Sequence, residues 1–192
     1  MTPEELRKLD GLYGAMGRIA WLWCNSDLHC SWPIALQTRF VLPPVTLGQY
    51  AIVERNGVPQ AYCSWARMTL EVETEYVLNP NSLKPEDWAS GDRLWVIDWI
   101  APFARRDSMG LRAELRRRFP KHIVRGLRVK PNDPKARIVT YIGAALSRDE
   151  AGRIRKELDQ DLADSLKAHP RHNVGFRTGQ NTQAKDAEDE EA

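Results

Sequence analysis

Cysteine is scarce in this chain: Cys24, Cys30 and Cys63 are the full set, an odd number with no Cys-x-x-Cys pair and no zinc-like spacing. That argues against a disulfide framework and against a structural metal, and it suits a reducing compartment. No window approaches ~20 consecutive apolar residues, so no membrane-spanning helix is expected. The start, Met1-Thr2-Pro3-Glu4-Glu5, has neither the basic stretch nor the apolar run of a secretory leader, and a cytoplasmic location is the expectation. Internal repeats are absent. Histidine is sparse too, four in 192 residues, so the position of each is informative.

Against that background one residue stands out. Asp98 interrupts one of the most apolar stretches of the chain, Arg93-Leu94-Trp95-Val96-Ile97-Asp98-Trp99-Ile100. A carboxylate in such surroundings costs several kcal/mol unless it is paired, protonated or used. Three of the four histidines lie in the strongly charged C-terminal half, whereas His29 shares the Trp-rich N-terminal half with Asp98. A His and an Asp brought together from distant positions make an acid/base pair. The plainer reading of Asp98 is a structural carboxylate satisfied by Arg93 or by backbone amides. Asp92 lies in a Ser-Gly-Asp-Arg turn and reads as structural. Cys63, in an apolar strand, reads as core packing, and so do Trp95, Trp99 and most of the Trp21 to Trp23 cluster.

Charge is unevenly spread. The net charge is +2, but between Arg105 and Arg137 there are twelve lysines and arginines against three acids, a local +9 that leaves about −7 for the rest. An acidic partner for the basic stretch is expected, with electrostatic steering of the encounter. Arg105, Arg106, Arg112, Arg116, Arg117 and Lys121 are the candidate contacts.

The pattern of elements starts with a helix opened by Thr2, Pro3 and Glu5 as a capping box, with a break expected where Gly11, Gly14 and Gly17 weaken it. Ser31-Trp32-Pro33 opens a short second helix that Pro43-Pro44 ends. Residues 49–55 and 58–68 read as strands joined by the Asn56-Gly57 hairpin turn. Residues 71–77 alternate acidic with apolar and read as a third antiparallel strand. A loop then delivers a central buried strand at 93–100, followed by a basic helix at 108–119, strands at 123–129 and 136–142, and a helix from Ser147 to about Ala168. One domain over residues 1–174 is expected, with a disordered acidic tail over 175–192. This order fits an α+β domain with a mixed, mostly antiparallel sheet flanked by helices.

Longer motifs carry a resemblance. Ile19-Ala20-Trp21-Leu22-Trp23, Ser26-Asp27-Leu28-His29, Trp32-Pro33, Gln49-Tyr50, Ala61-Tyr62-Cys63-Ser64-Trp65-Ala66, Asp87-Trp88 and the run from Ser90 to Phe103 resemble the RTX toxin-activating lysine acyltransferases, the hemolysin-activating protein family. The likeness runs from about residue 15 to about 168. It implies a GNAT-related fold, that is, one like the N-acetyltransferases, often as a homodimer. It also implies transfer of a fatty acyl group from acyl carrier protein to internal lysine ε-amines of an RTX pro-toxin. The family's catalytic His matches His29 and its catalytic Asp matches Asp98.

The chemistry is coherent. A lysine with a pKa near ~10.4 is mostly ammonium at neutral pH, a handicap of about 4.6 kcal/mol, so a base is required. Neutral His29 could accept the proton while Asp98 fixes its tautomer, or His29 could attack the thioester itself. Ser26, three residues before His29, shares its face on a helical turn and could assist as an auxiliary. The chain after Ile100 lacks the Gln/Arg-x-x-Gly-x-Gly/Ala turn by which acetyl-CoA-dependent relatives hold a pyrophosphate, which favours a carrier protein as donor over CoA. No bound cofactor or metal is expected. Two other functions fit the charge pattern less well: a nucleic-acid-binding module built on the basic stretch, which lacks a recognition helix or an aromatic RNA-binding strand, and a chaperone that binds the toxin without modifying it.

Overall fold

A computed structural model describes residues 2–128 and 136–171. Helix α1 spans Pro3–Cys24, and the short helices α2 (Gln37–Phe40) and α3 (Leu42–Thr46) follow a single 3-10 turn at Ile34–Leu36. Strands β1 (Tyr50–Arg55) and β2 (Val58–Met68) precede α4 (Leu70–Leu78); β3 is Arg93–Ile100 and α5 is Arg105–Arg118. Strands β4 (Ile123–Arg128) and β5 (Arg137–Ile142) and helix α6 (Arg148–Ala168) complete the order. The five strands form one sheet in the order β1-β2-β3-β4-β5, with β3 at its centre. Only β3 and β4 run parallel, joined by α5 as a βαβ crossover; the other pairs are antiparallel. The architecture is thus α+β with a mixed sheet, as the element order implies.

Local chemistry explains most boundaries. Thr2 accepts from the Glu5 amide and the Glu5 carboxylate accepts from the Thr2 amide, so α1 opens on the expected capping box. Asn56 and Gly57 both hold positive φ, 52° and 75°, the backbone of a two-residue hairpin turn. Ser147 caps α6 with Glu150 in the same reciprocal way.

Three expectations need correction. Helix α1 is unbroken through Gly11, Gly14 and Gly17. Their propensity cost, about 1 kcal/mol each, is outweighed by burial of Ile19, Leu22 and Trp23, worth roughly 1.5–3 kcal/mol per large side chain. Pro43 and Pro44 do not end a helix but occupy the start of α3, where a missing amide hydrogen does no harm. Residues 71–77 are not a strand: Thr69 accepts from the Val72 amide and caps α4. The alternating pattern hid a helix whose inner side carries Glu73, Thr74 and Tyr76.

Glu73 is the reason that helix is needed. It is fully buried and receives Arg93 at 3.0 Å, the Trp95 indole N–H and the Arg125 guanidinium. Arg93 also reaches Asp161 on α6, and Arg125 donates to the Leu158 carbonyl. Burial lowers the Arg125 pKa to about 10. Arg125 belongs to the basic stretch by sequence and to the interior by structure.

Three apolar clusters fill the layers. One joins Ala61, Cys63, Trp65, Leu94 and Val96 of the sheet to Leu111 and Leu115 of α5. A second sets Met68, Trp95 and Ile97 against α4 and Leu162 of α6. A third packs Ile19, Leu22 and Trp23 of α1 on Tyr62 and Ile100. Among the described residues no helix is long and apolar enough to cross a membrane. The acidic tail expected from residue 175 lies outside the described residues.

Candidate active site

The site begins with a fault in the sheet. Ser64 stands opposite Asp98 while Trp65 stands opposite Val96, so Ile97 is an extra residue on β3. Strict alternation would send Asp98 to the same side as Leu94 and Val96, into the cluster under α5. The bulge inverts the pattern: Trp99 now packs against that cluster, donating to Ser108 of α5 at 3.0 Å, and Ile100 joins the cluster under α1. Asp98 turns with Ile100 toward α1.

There it meets His29. Helix α1 ends at Cys24, and a tight turn follows in which the His29 and Cys30 amides both donate to the Ser26 carbonyl and the Trp32 amide donates to the His29 carbonyl. This turn holds the imidazole inward, 3 % exposed, with Trp32 and Trp23 ring centroids 4.6 and 5.5 Å from it. Its Nε2 lies 3.1 Å from Asp98 Oδ1, and its Nδ1 lies 2.8 Å from the Ser26 hydroxyl. Asp98 Oδ1 also accepts from the Trp99 amide at 2.8 Å. With the carboxylate ionised, Nε2 carries the ring proton and the Ser26 hydroxyl donates to Nδ1. The three polar residues picked out by sequence thus form one line, Ser26–His29–Asp98, and Ser26, half-buried, is its outer end.

The alternative partner named for Asp98 is engaged elsewhere, since Arg93 is committed to Glu73 and Asp161. Backbone satisfaction is partly right, through Trp99. Asp92 is exposed in its turn, Cys63 is buried, and Trp95 is core; Trp21, by contrast, is half exposed. Burial, and after it the Asp98 charge, push the Cys63 thiol and the Tyr62 phenol well up from their ordinary values.

All six basic candidates are exposed on α5 or just after it. They are not equivalent: Arg117 is bound bidentately to Glu114, and Arg116 donates to the Ile142 carbonyl. Asp107, one of the three acids counted within the basic stretch, gave no sign in the sequence of being buried. It sits in the first turn of α5, 2 % exposed, and accepts from Arg55 at 2.6 Å. A cavity of about 720 Å³ lies between α1, β1 and α5, with Arg18, Tyr50, Ile52, Glu54, Arg117 and Arg118 among its walls. Tyr50 pairs with Ser64, and Ser64 with Asp98, so the cavity ends two strands, roughly 10 Å, from the Asp98 backbone. Among the described residues no group of three His, Cys, Asp or Glu side chains is placed to hold a metal ion.

Comparison with known proteins identifies the family to which the chain belongs. The family model described as the RTX toxin acyltransferase family matches residues 12–142. A protein-lysine palmitoyltransferase, CyaC of Bordetella bronchiseptica, is 44 % identical over 175 residues, covering 91 % of this chain and 92 % of that protein. An RTX-II toxin-activating lysine-acyltransferase of Actinobacillus pleuropneumoniae is 41 % identical over 155 residues, 80 % of this chain and 96 % of its own length. The protein-lysine myristoyltransferase HlyC of Escherichia coli is 39 % identical over 152 residues, 79 % of this chain and 88 % of that protein. Likeness of this extent has one meaning: the chain belongs to the RTX toxin acyltransferase family and is an acyltransferase.

Proposed function

We propose that this enzyme moves a fatty acyl group from acyl carrier protein to internal lysines of an RTX pro-toxin, with His29 and Asp98 handling the proton. The observation that carries this reading is the 3.1 Å contact between His29 Nε2 and Asp98 Oδ1 inside a family of lysine acyltransferases. Asp98 holds the proton on Nε2 and leaves Nδ1 as the basic nitrogen. As the lysine amine attacks the thioester carbonyl, its proton passes to Ser26 Oγ while Ser26 gives its own to Nδ1. The imidazolium so formed faces Asp98. Collapse of the tetrahedral intermediate breaks the C–S bond, and the departing thiolate recovers a proton from His29 by the same route. The products are an amide and the free thiol of the carrier.

Direct transfer is favoured over attack by His29 on the thioester, because both ring nitrogens are engaged and the ring is buried. Access for the lysine from the side of the exposed turn at residues 25–28 suits a relay through Ser26. A carrier protein rather than CoA is favoured by the chain after Ile100, which lacks the Gln/Arg-x-x-Gly-x-Gly/Ala turn that would cradle a pyrophosphate. Arg105, Arg106, Arg112, Arg116, Arg117 and Lys121 give an exposed basic face for an acidic carrier. The parallel β3–β4 pair within an otherwise antiparallel sheet is in keeping with a relation to the N-acetyltransferases.

The test is intact-mass analysis of a pro-toxin incubated with the enzyme and acyl carrier protein bearing a C14, C16 or C18 chain. Addition of that chain's mass at lysine supports the reading. An unmodified toxin with all three donors overturns it, and binding without mass gain would mark a chaperone.

A further inference from the structure

Three buried oxygens on the sheet face that carries Asp98 have no hydrogen-bond partner among the described residues: the Tyr62 hydroxyl, the Ser64 hydroxyl and Asp98 Oδ2. They belong together. Ser64 is directly opposite Asp98 in the β2–β3 ladder, and Tyr62 lies two residues along the same strand and hence on the same face. Ser64 is close enough to Tyr62 to favour its phenolate, yet neither hydroxyl completes a bond. Both residues are fully buried, where packing alone would be met by Phe and Ala without an unsatisfied hydroxyl. Asp98, for its part, receives both of its bonds on one oxygen: His29 and the Trp99 amide share Oδ1.

The titratable groups near Asp98 are His29 from the turn after α1, Tyr62 from β2 and Tyr76 from α4, with Tyr50 of β1 beside Tyr62, and Cys63 of β2 on the α5 side of the sheet. Tyr62, Cys63 and Tyr76 all feel the Asp98 charge, which pushes each of them up after burial has done so. None of these three would counter that charge, so its stabilisation beyond Oδ1 falls to neutral donors. Two neutral hydroxyls, those of Tyr62 and Ser64, lie on its face of the sheet without a hydrogen-bond partner.

We propose that Tyr62 and Ser64 are positioning residues for acyl transfer, whose hydroxyl protons serve Asp98 Oδ2, by side-chain rotation or through one bridging solvent molecule, and keep Asp98 ionised with Oδ1 on His29. This rests on the reading of His29 and Asp98 as the proton-handling pair. The exposed end of the site binds the lysine; the buried end, formed by β2, sets how readily His29 accepts its proton.

Tyr62→Phe, Ser64→Ala and Ser64→Thr are compared with the unaltered enzyme and with Asp98→Asn, using palmitoyl-acyl carrier protein and a pro-toxin, from about pH 5 to about pH 9. Tyr62→Phe and Ser64→Ala should each lower kcat by roughly 3- to 30-fold with KM unchanged, and move the acid limb of the kcat profile to higher pH. Ser64→Thr, which keeps a hydroxyl, should recover the limb. Profiles of Tyr62→Phe and Ser64→Ala that superimpose on that of the unaltered enzyme overturn the inference, provided Asp98→Asn is inactive. Full activity in Asp98→Asn instead removes the proton-handling pair itself, so the two failures are distinguishable. Both apolar variants keep the shape of the core, and a purely structural role would change the melting temperature without moving the acid limb.

Discussion

Glu73 and Asp98, both carboxylates set into the interior, have opposite surroundings. Glu73, under α4 and α6, is bound by Arg93, Arg125 and the Trp95 indole, partners that stay protonated throughout the physiological range. Asp98, under α1, is bound by an imidazole, a group that can change charge near neutrality, and one of its oxygens is left open. Saturation with permanent cations makes the first acid a rivet between α4, β3, β4 and α6. A titratable partner, with neutral hydroxyls rather than cations on its side of the sheet, suits the second to the proton handling proposed above. Burial alone therefore does not distinguish a structural acid from one suited to proton handling; the partner's capacity to gain and lose a proton does.

Removal of each acid should separate the two regions most sharply. Asp98→Asn is expected to lower kcat by about two to four orders of magnitude while the urea midpoint stays close to that of the unaltered protein. Glu73→Ala should do the reverse, costing about 3–5 kcal/mol of stability because two buried guanidinium groups lose their counter-charge, with little change in turnover per folded molecule. A large loss of stability in Asp98→Asn would erase the distinction. Charge reversal at Arg105, Arg106 and Arg112 together should raise KM for acyl carrier protein about tenfold, more at low salt than at high, without affecting kcat.

Smaller effects sharpen the picture around β2. The Cys63 thiol is pushed up by burial and by the Asp98 charge, so the folded protein keeps that proton where the unfolded chain would lose it. Stability tied to Cys63 should therefore be full below about pH 8.5 and fall as pH rises beyond it. In native protein a thiol reagent should label Cys24 and Cys30, which are exposed, and reach Cys63 only in denaturant. At the small end, Gly14→Ala should stabilise α1 by about 0.5–1 kcal/mol, since a Cβ there meets nothing within 4 Å.

Legibility in the sequence followed the range of the interaction. The caps of α1 and α6, the Asn56-Gly57 turn and the β3 core are local signals and hold in the structure. Helix α4 was misread because Glu71 to Val77 alternates like a strand, while the reason it is a helix, delivery of Glu73 to Arg93 and Arg125, lies 20 and 52 residues away. Ser26 and His29 were visible as neighbours on one turn, and their contact follows from their spacing. Tyr62 and Ser64 gave little beyond being polar in an apolar strand.

By itself the sequence determined the family, the acyltransferase chemistry that goes with it and most of the strands and helices, because propensities, caps and long motifs act over a few residues. Only the tertiary structure decided which way Asp98 points. One extra residue, Ile97, shifts the ladder between β2 and β3, and a shift of one position in a period of two exchanges the faces of the sheet. That exchange carries the carboxylate from the α5 core to the imidazole of His29.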